Sequence, residues 1–525
     1  MTGAAAWGPL RIPIYRSLWI AALISNTGTW MHDVAAAWLM TGIAPTPLFV
    51  SLMQTATSLP MFLLALPAGA LADMLDRRRL LLATFAAIIV VVAALGVMTL
   101  SGLATAWVLL AMTFLVAIGL GLARPALDAL TPEVVGPGHL PQAVSMDAVG
   151  LNVGRAAGGA LGGVLIATLG PGAVFLANAA SNLPYLDVLR RWKRPASASA
   201  LPPESLGGAV KAGLRYVRHA PALRAVLIRM AAVLFAACAL WSLFPLVARG
   251  EMKLGSVSFG LLVGSFGLGA LAGALVLPAV RTRLSPNVML ASASLLLAGV
   301  LLSLAYVRTY ALVAVAMAVA GVGWLAMLSS LNTALQSSVP SWVRARASAL
   351  SGLAFMGGMT AGSMLWGILA TAKGVSFALA AAAGAAVAGL FLGLRYPLPR
   401  KAMNLAPSMH WPAPILAGEG GPEGPVEVVV EYRITPARFG EFRVALRQLE
   451  SVRRRDGAIE WTVELDPADA SHCVETFRFD SWTEHLRQHE RITAEDRALE
   501  DHVRSFHVST TPPVITHRTL DRPRS

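Results

Sequence analysis

The stretch RRRLLLATFAAIIVVVAALGVMTLSGLATAWVLLAMTFLVAIGLGLAR, residues 77–124, decides the fold. From Leu80 to Ala123 it runs forty-four residues without one Asp, Glu, Lys or Arg. A bilayer core about 30 Å thick takes roughly twenty apolar residues per helix, so this run is two spans. The break Ser101-Gly102-Leu103-Ala104-Thr105 near its middle can turn the chain. Arg77, Arg78 and Arg79 precede the pair and Arg124 follows it, which predicts both ends of the hairpin in the cytoplasm.

The same pattern repeats on either side. Apolar stretches fall at 17–40, 48–72, 80–100, 105–124, 143–169 and 172–189, then at 223–247, 257–279, 286–306, 310–333, 346–371 and 374–396. That predicts an α-helical polytopic membrane protein with twelve spans in two sets of six. At 56% hydrophobic and 14% charged residues, the 525-residue chain is too apolar for an ordinary soluble protein. With the N-terminus inside, the expected cytoplasmic segments carry 21 basic residues, and the opposite loops only Arg249, Lys253, Arg308 and Lys373. Both termini are therefore expected in the cytoplasm of a bacterial-type inner membrane. No cleavable leader pattern precedes the first span, where Arg11 and Arg16 stand.

Charge divides the chain in two. Residues 1–424 hold 27 basic and 11 acidic side chains, whereas 425–525 hold 15 and 18. A basic membrane part and a mildly acidic, charge-dense tail imply two solvents. The expected organisation is a six-helix bundle over 1–190, a basic cytoplasmic linker over 191–222 and a second bundle over 223–396. A Pro/Gly-rich linker over 397–424 and a tail domain over 425–525 follow. The basic residues sit at membrane borders, so nucleic acid is not the expected partner. Two cysteines, Cys238 and Cys473, make no disulfide framework, and no cysteine or histidine cluster indicates a metal.

In the tail, residues 426–432 alternate as a strand, Pro436 to Arg453 has helical spacing, and residues 459–465 and 472–479 alternate again. A longer helix over 482–503 and a short strand near 513–517 complete β-α-β-β-α-β, a small cytoplasmic ferredoxin-like α+β fold. Such half-barrels often pair, which makes a homodimer through the tail an expectation.

The loop Gly69-Ala70-Leu71-Ala72-Asp73-Met74-Leu75-Asp76-Arg77-Arg78-Arg79 resembles the signature loop of the major facilitator superfamily. Met74 and Asp76 depart from it, standing where a basic residue and a glycine are usual. The run Asn152-Val153-Gly154-Arg155-Ala156-Ala157-Gly158-Gly159 and the stretch Arg124-Pro125-Ala126 resemble the multidrug and enterobactin-exporter branch. Arg453-Arg454-Arg455-Asp456-Gly457 and Ser481-Trp482-Thr483-Glu484-His485 are similar to the appendage of the transmembrane secretion effector subgroup. The resemblance implies a secondary transporter exporting an amphipathic small molecule of drug or siderophore type by alternating access, coupled to protons. It also implies that Gly69, Asp73, Arg77 and Arg78 form a gating loop.

Single residues sharpen this expectation. Arg155 lies about thirteen residues into span 5, roughly 20 Å deep at about 1.5 Å per residue, and such a charge must face a cavity or a partner. Asp33 in span 1 is its natural complement, because a carboxylate in a membrane can exchange protons near neutral pH. Gln54, Asn152, Asn178, Asn182, Asn332 and Gln336 are candidate polar cavity residues, and Trp324, Phe355, Met356 and Trp366 candidate apolar ones. Asp147 reads as a structural or gate contact. His485 and His489 lie four apart on one predicted tail helix face, a spacing that also suits metal. No third ligand accompanies them, so metal is not expected and no cofactor is implied. The alternative to a plain transporter is a membrane-tethered module whose tail is a cofactor-free monooxygenase-like enzyme or a ligand sensor.

Overall fold

A computed structural model describes residues 8–136, 138–192, 206–399, 403–408, 410 and 424–519. The linker run Gly418–Pro422 lies outside these residues. The chain forms two compact units, one of residues 1–201, 227–332 and 351–397, the other of residues 202–226, 333–350 and 398–525.

The first unit holds the membrane spans. Spans 1 to 4 are Pro13–Ile43, Pro47–Met74, Arg77–Leu100 and Ala106–Val135. Continuous helix then runs from Leu140 to Ser181, but Gly170 interrupts it with φ 78, a left-handed conformation that favours glycine, and Pro171 restarts the helix. Spans 5 and 6 lie on either side of that corner, span 6 being extended by Leu183–Arg191. The second half starts at Pro221–Pro245, continued by Leu246–Glu251 (span 7), then Ser256–Arg281, Pro286–Tyr306, Tyr310–Ser338, Arg344–Lys373 and Val375–Arg395 (spans 8–12). Among the described residues, ten helical segments are long and apolar enough to cross a bilayer, one of them the folded-back pair Leu140–Arg191. The first helix, Pro13–Ile43, apolar but less so than these, brings the passes to twelve. Helix starts match local chemistry: Asp76 accepts from Arg79 N at 2.8 Å and Thr105 from Val108 N at 3.3 Å.

Small residues let the two halves touch. A methyl group at Gly163 would meet the Ser256 carbonyl at 2.6 Å, and one at Gly267 would meet the Ala156 backbone at 2.8 Å. Spans 5 and 8 therefore approach backbone to backbone, as small-residue seams allow in lipid. Spans 2 and 11 meet through hydroxyls, Thr55 with Ser363 at 2.7 Å and Ser58 with Thr360 at 2.8 Å. At Gly367 an added methyl would reach the Ser51 side chain at 2.6 Å. Spans 2 and 8 begin, and spans 5 and 11 end, on the face opposite the start of span 1. The contacts of Gly163 with Ser256 and of Gly367 with Ser51 lie in that part of each span, whereas those of Gly267 with Ala156 and of Ser58 with Thr360 lie near mid-span.

In the second unit the amphipathic linker helix α1 (Leu206–His219) packs with the tail. The tail runs β1 (Val426–Arg433), α2 (Phe439–Asp456), β2 (Glu460–Asp466), β3 (Asp469–Phe479), α3 (Trp482–Arg491), α4 (Ala494–Arg504), β4 (Val514–Thr519). The antiparallel sheet has the order β2-β3-β1-β4, as a ferredoxin-like fold requires. The long second helix expected over 482–503 is two. Ile492 is extended at φ −61 and ψ 128, and Thr493 opens α4 with a reciprocal capping box to Asp496. Val426, Val428, Val430 and Tyr432 of β1 turn alternate side chains into a core with Phe442, Leu446 and Leu449 of α2 and Phe477 and Phe479 of β3.

Candidate functional site: an arginine in an aromatic cage

Span 5 brings Arg155 to the middle of the bundle. Its guanidinium carbon lies 4.4 Å from the Trp30 ring centroid of span 1 and 5.3 Å from that of Phe266 in span 8. The aromatic set continues across the second half. Trp241 of span 7 sits 5.8 Å from Trp30, 4.7 Å from Phe266 and 6.0 Å from Trp324 of span 10, which stands 6.5 Å from Phe355 of span 11. Rings from both halves thus gather around one cation. Arg155 Nε is buried with no hydrogen-bond partner among the described residues, a donor left open to a ligand or water. Asp33 acts electrostatically on Arg155. The Asp33 side chain is exposed.

The amide candidates fall into separate places. Asn178 and Asn182 are buried and joined, Asn182 Nδ2 donating to Asn178 O at 2.8 Å and Ser25 Oγ to Asn182 Oδ1 at 2.7 Å. They tie span 6 to span 1. Asn152 donates to its own helix at Ala148 O, 2.9 Å away. Gln54 is half-buried, while Asn332 and Gln336 are exposed on span 10. Trp366 is buried and donates to Phe235 O at 2.7 Å, so it packs span 11 on span 7.

Around the signature loop, Arg77 donates to Glu133 at 2.6 Å and Arg78 Nε to Leu189 O at 2.8 Å. These bonds bind the loop to the ends of spans 4 and 6. No contact is recorded at Gly69 for an added methyl group, and the side chain of Asp73 lies outside the described residues. Asp147 accepts from Tyr15 OH at 3.0 Å and Thr131 Oγ1 at 3.1 Å, linking spans 1, 4 and 5.

The tail encloses a second polar assembly. Glu475, fully buried in β3, accepts from Tyr432 OH at 3.0 Å, Trp461 Nε1 at 3.0 Å and Arg453 Nε at 3.4 Å. Arg453 also reaches Glu500 at 2.5 Å. Beside it, Arg455 forks onto Asp456 at 2.8 Å and Asp496 at 2.7 Å. A buried carboxylate is tolerable when several donors satisfy it, as here. His485 and His489 do not form an outward helix face. His485 is 1% exposed, packed between the Phe479 and Trp482 rings, and its Nε2 lies 3.3 Å from that of His489. Burial and the neighbouring His489 push His485 down to about 3, and burial and His517 push His489 down to about 4, so both rings are neutral at pH 7.

Residues 4–524 match a protein family described as transmembrane secretion effector. The chain belongs to that family and is a membrane transporter of the major facilitator superfamily, not an enzyme. The transporter is 27% identical over 391 residues to the multidrug efflux pump Tap of Mycolicibacterium fortuitum, a match covering 70% of this chain and 90% of Tap. It is 28% identical to the uncharacterized transporter YfiS of Bacillus subtilis, where the match spans 40% of the chain and about half, 51%, of that relative. Similarity to the staphyloferrin A transporter of Staphylococcus aureus is 25%, over 48% of the chain and 64% of that protein. Among solved structures, a bacterial homologue of the iron transporter ferroportin in the inward-facing state superposes with a TM-score of 0.59 at 16% identity. It covers 73% of this chain and 98% of the homologue, which supports the fold alone.

Several residues of these contacts escaped sequence reading. Trp241 and Phe266 carry no pattern that separates them from other aromatics in apolar spans. Arg229, a cation inside span 7, is 4% exposed and donates to Asn287 at 2.6 Å. A charge within an apolar run was signal enough to find it. Arg249 stacks on Trp38 at 4.4 Å and donates to Trp38 O at 2.5 Å, joining spans 7 and 1 where sequence showed only a loop charge.

Proposed function

We propose that the chain exports an amphipathic small molecule from the cytoplasm, driven by protons and working by alternating access. The observation that carries this reading is Arg155, stacked on Trp30 and Phe266 with Trp241 against both rings, within electrostatic reach of Asp33 and with one buried donor unpartnered among the described residues. Aromatic faces take the apolar part of a cargo and the guanidinium takes an acceptor. Asp33 supplies a proton-exchanging group beside that cation, and a donor group of the cargo competes with a proton for its carboxylate, as exchange of cargo against protons requires. With the termini inside, as the loop charges indicate, the glycine and hydroxyl seams close the outer face and leave the cavity facing the cytoplasm.

Relatives support a cargo of this class: one is named a multidrug efflux pump and another a transporter of the siderophore staphyloferrin A. The tail acts in this scheme as a regulatory module that also offers a sheet face for self-pairing. Its support is that the tail, the linker helix and residues 333–350 form one compact unit.

The test is efflux from cells loaded with a fluorescent amphipathic dye or a labelled siderophore. The full chain should lower accumulation, an uncoupler should restore it, and Asp33→Asn should abolish the response to the proton gradient. Equal accumulation with and without the chain across such cargoes overturns the reading.

A further inference from the structure

We propose that a crevice between the linker helix α1 and tail helix α2 binds a phosphate-bearing amphiphile. The cavity has a volume of about 690 Å³ and lies wholly within the second unit. Arg215 and Arg218 project from α1 and Arg454 from α2, with Glu450 the carboxylate in its wall. Arg454 pairs with Glu450 at 2.7 Å, and Arg215 with Glu484 at 2.8 Å. Glu484 also receives Arg491 at 2.6 Å, so its charge is shared between two arginines. Arg218 is exposed and forms no ion pair among the described residues, which leaves the crevice with surplus positive charge.

The field acts on His219, an imidazole in the wall. His219 is lowered by burial and then by Arg218 and Arg454, so it stands neutral at pH 7 and can accept or donate a hydrogen bond. Leu214, 56% exposed, and Ile459 add apolar surface to the same cavity. Planar guanidinium forks match phosphate oxygens in pairs, and an apolar wall beside them suits the glycerol or acyl stem of an amphiphile. The linker helix carries basic residues on an amphipathic surface, which suits a lipid headgroup; a soluble phosphate ester has the same chemistry. A ligand here would join the segment between the two halves of the transporter to the tail. The proposal is independent of the cargo cavity.

The purified full chain in a neutral detergent is titrated with short-chain phosphatidylglycerol, with glycerol 3-phosphate, and with phosphatidylcholine and glycerol as matched controls. Bound ligand is counted by native mass spectrometry, and the unfolding midpoint is followed in parallel. Phosphatidylglycerol should bind at least about tenfold more tightly to the wild type than to Arg218→Gln/Arg454→Gln. Arg447→Gln, an exposed change on the same tail helix, should leave binding unchanged. Arg218→Gln alone removes no ion pair among the described residues, so it should fold and still weaken binding. Tight phosphatidylglycerol with weak glycerol 3-phosphate identifies a lipid headgroup site, and equal affinity for both a soluble ester site. Binding that ignores the phosphate, or that survives in the double variant, overturns the proposal.

Discussion

Arg155 and Trp30 form a cation–π pair across spans 5 and 1, with 4.4 Å between guanidinium carbon and ring centroid. An arginine deep in a bundle needs a partner that holds charge without quenching it, and an aromatic face does that. Such a pair contributes on the order of 2 kcal/mol when desolvated. Arg155→Lys keeps the charge but loses the flat stacking surface and the fork, so efflux should fall by about tenfold, and Arg155→Ala further. Surface expression of both should match the wild type. Dye efflux normalised to membrane-inserted protein checks this, and unchanged efflux by Arg155→Ala removes Arg155 from the transport site.

Asp33 tests the coupling separately from binding. Asp33→Asn keeps the size and loses the exchangeable proton. Binding of cargo to purified protein should survive within about threefold, while transport driven by an imposed pH gradient in proteoliposomes should be lost. Retained pH-driven transport would assign proton coupling elsewhere.

The tail network gives a stability prediction. Glu475 accepts from three donors in a core with no solvent access. Replacing it by Gln keeps the shape but leaves Arg453 with less compensation, and breaking a buried pair costs roughly 3–5 kcal/mol. Protease cleavage within the tail of the full-length variant should become fast, with cleavage between spans unchanged. A tail as resistant as the wild type would show that Glu500 alone satisfies Arg453.

Buried histidines make the same domain acid-sensitive. In the unfolded chain His485 and His489 take up protons near 6.5, but in the folded tail only near about 3 and about 4. Between those limits the unfolded state binds more protons, so tail stability falls as the pH drops from 6.5 towards 4. Hydrogen exchange in peptides covering α3, corrected for intrinsic rate, should rise between pH 7 and pH 5. His485→Gln should flatten that rise; a wild type insensitive to pH in this range contradicts the burial of the pair.

Hydropathy and charge made the spans, their pairing and Arg155 legible, because lipid demands long apolar runs and punishes an unpartnered cation. The tail strands were legible for a similar reason, since Val426, Val428 and Val430 alternate. Harder to see were features created by tertiary contact. Arg453 and Arg455 stand in the charged last turn of a helix, yet fold inward because Glu475, Glu500, Asp456 and Asp496 arrive from distant segments or beside them. The helix break at Ile492 depends on the Thr493–Asp496 box, a local signal hidden inside a helical period. Trp241 and Phe266 joined the cage only once both halves were packed.

The seam between spans 5 and 8 offers the sharpest test of alternating access. Gly260 packs directly on the backbone of Gly159 and Gly163, leaving no volume for a side chain. If transport works by alternating access, these spans part when the outer face opens; their close backbone fit holds them together, so a larger residue there destabilises the closed form. Gly260→Val should leave insertion intact, shift the population towards an open outer face and lower net efflux several-fold. A single cysteine introduced at Ala160 on the facing helix should then react faster with a membrane-impermeant thiol reagent added from outside. Slower or unchanged labelling would mean that the seam does not part during transport, and that the two halves rock about some other contact.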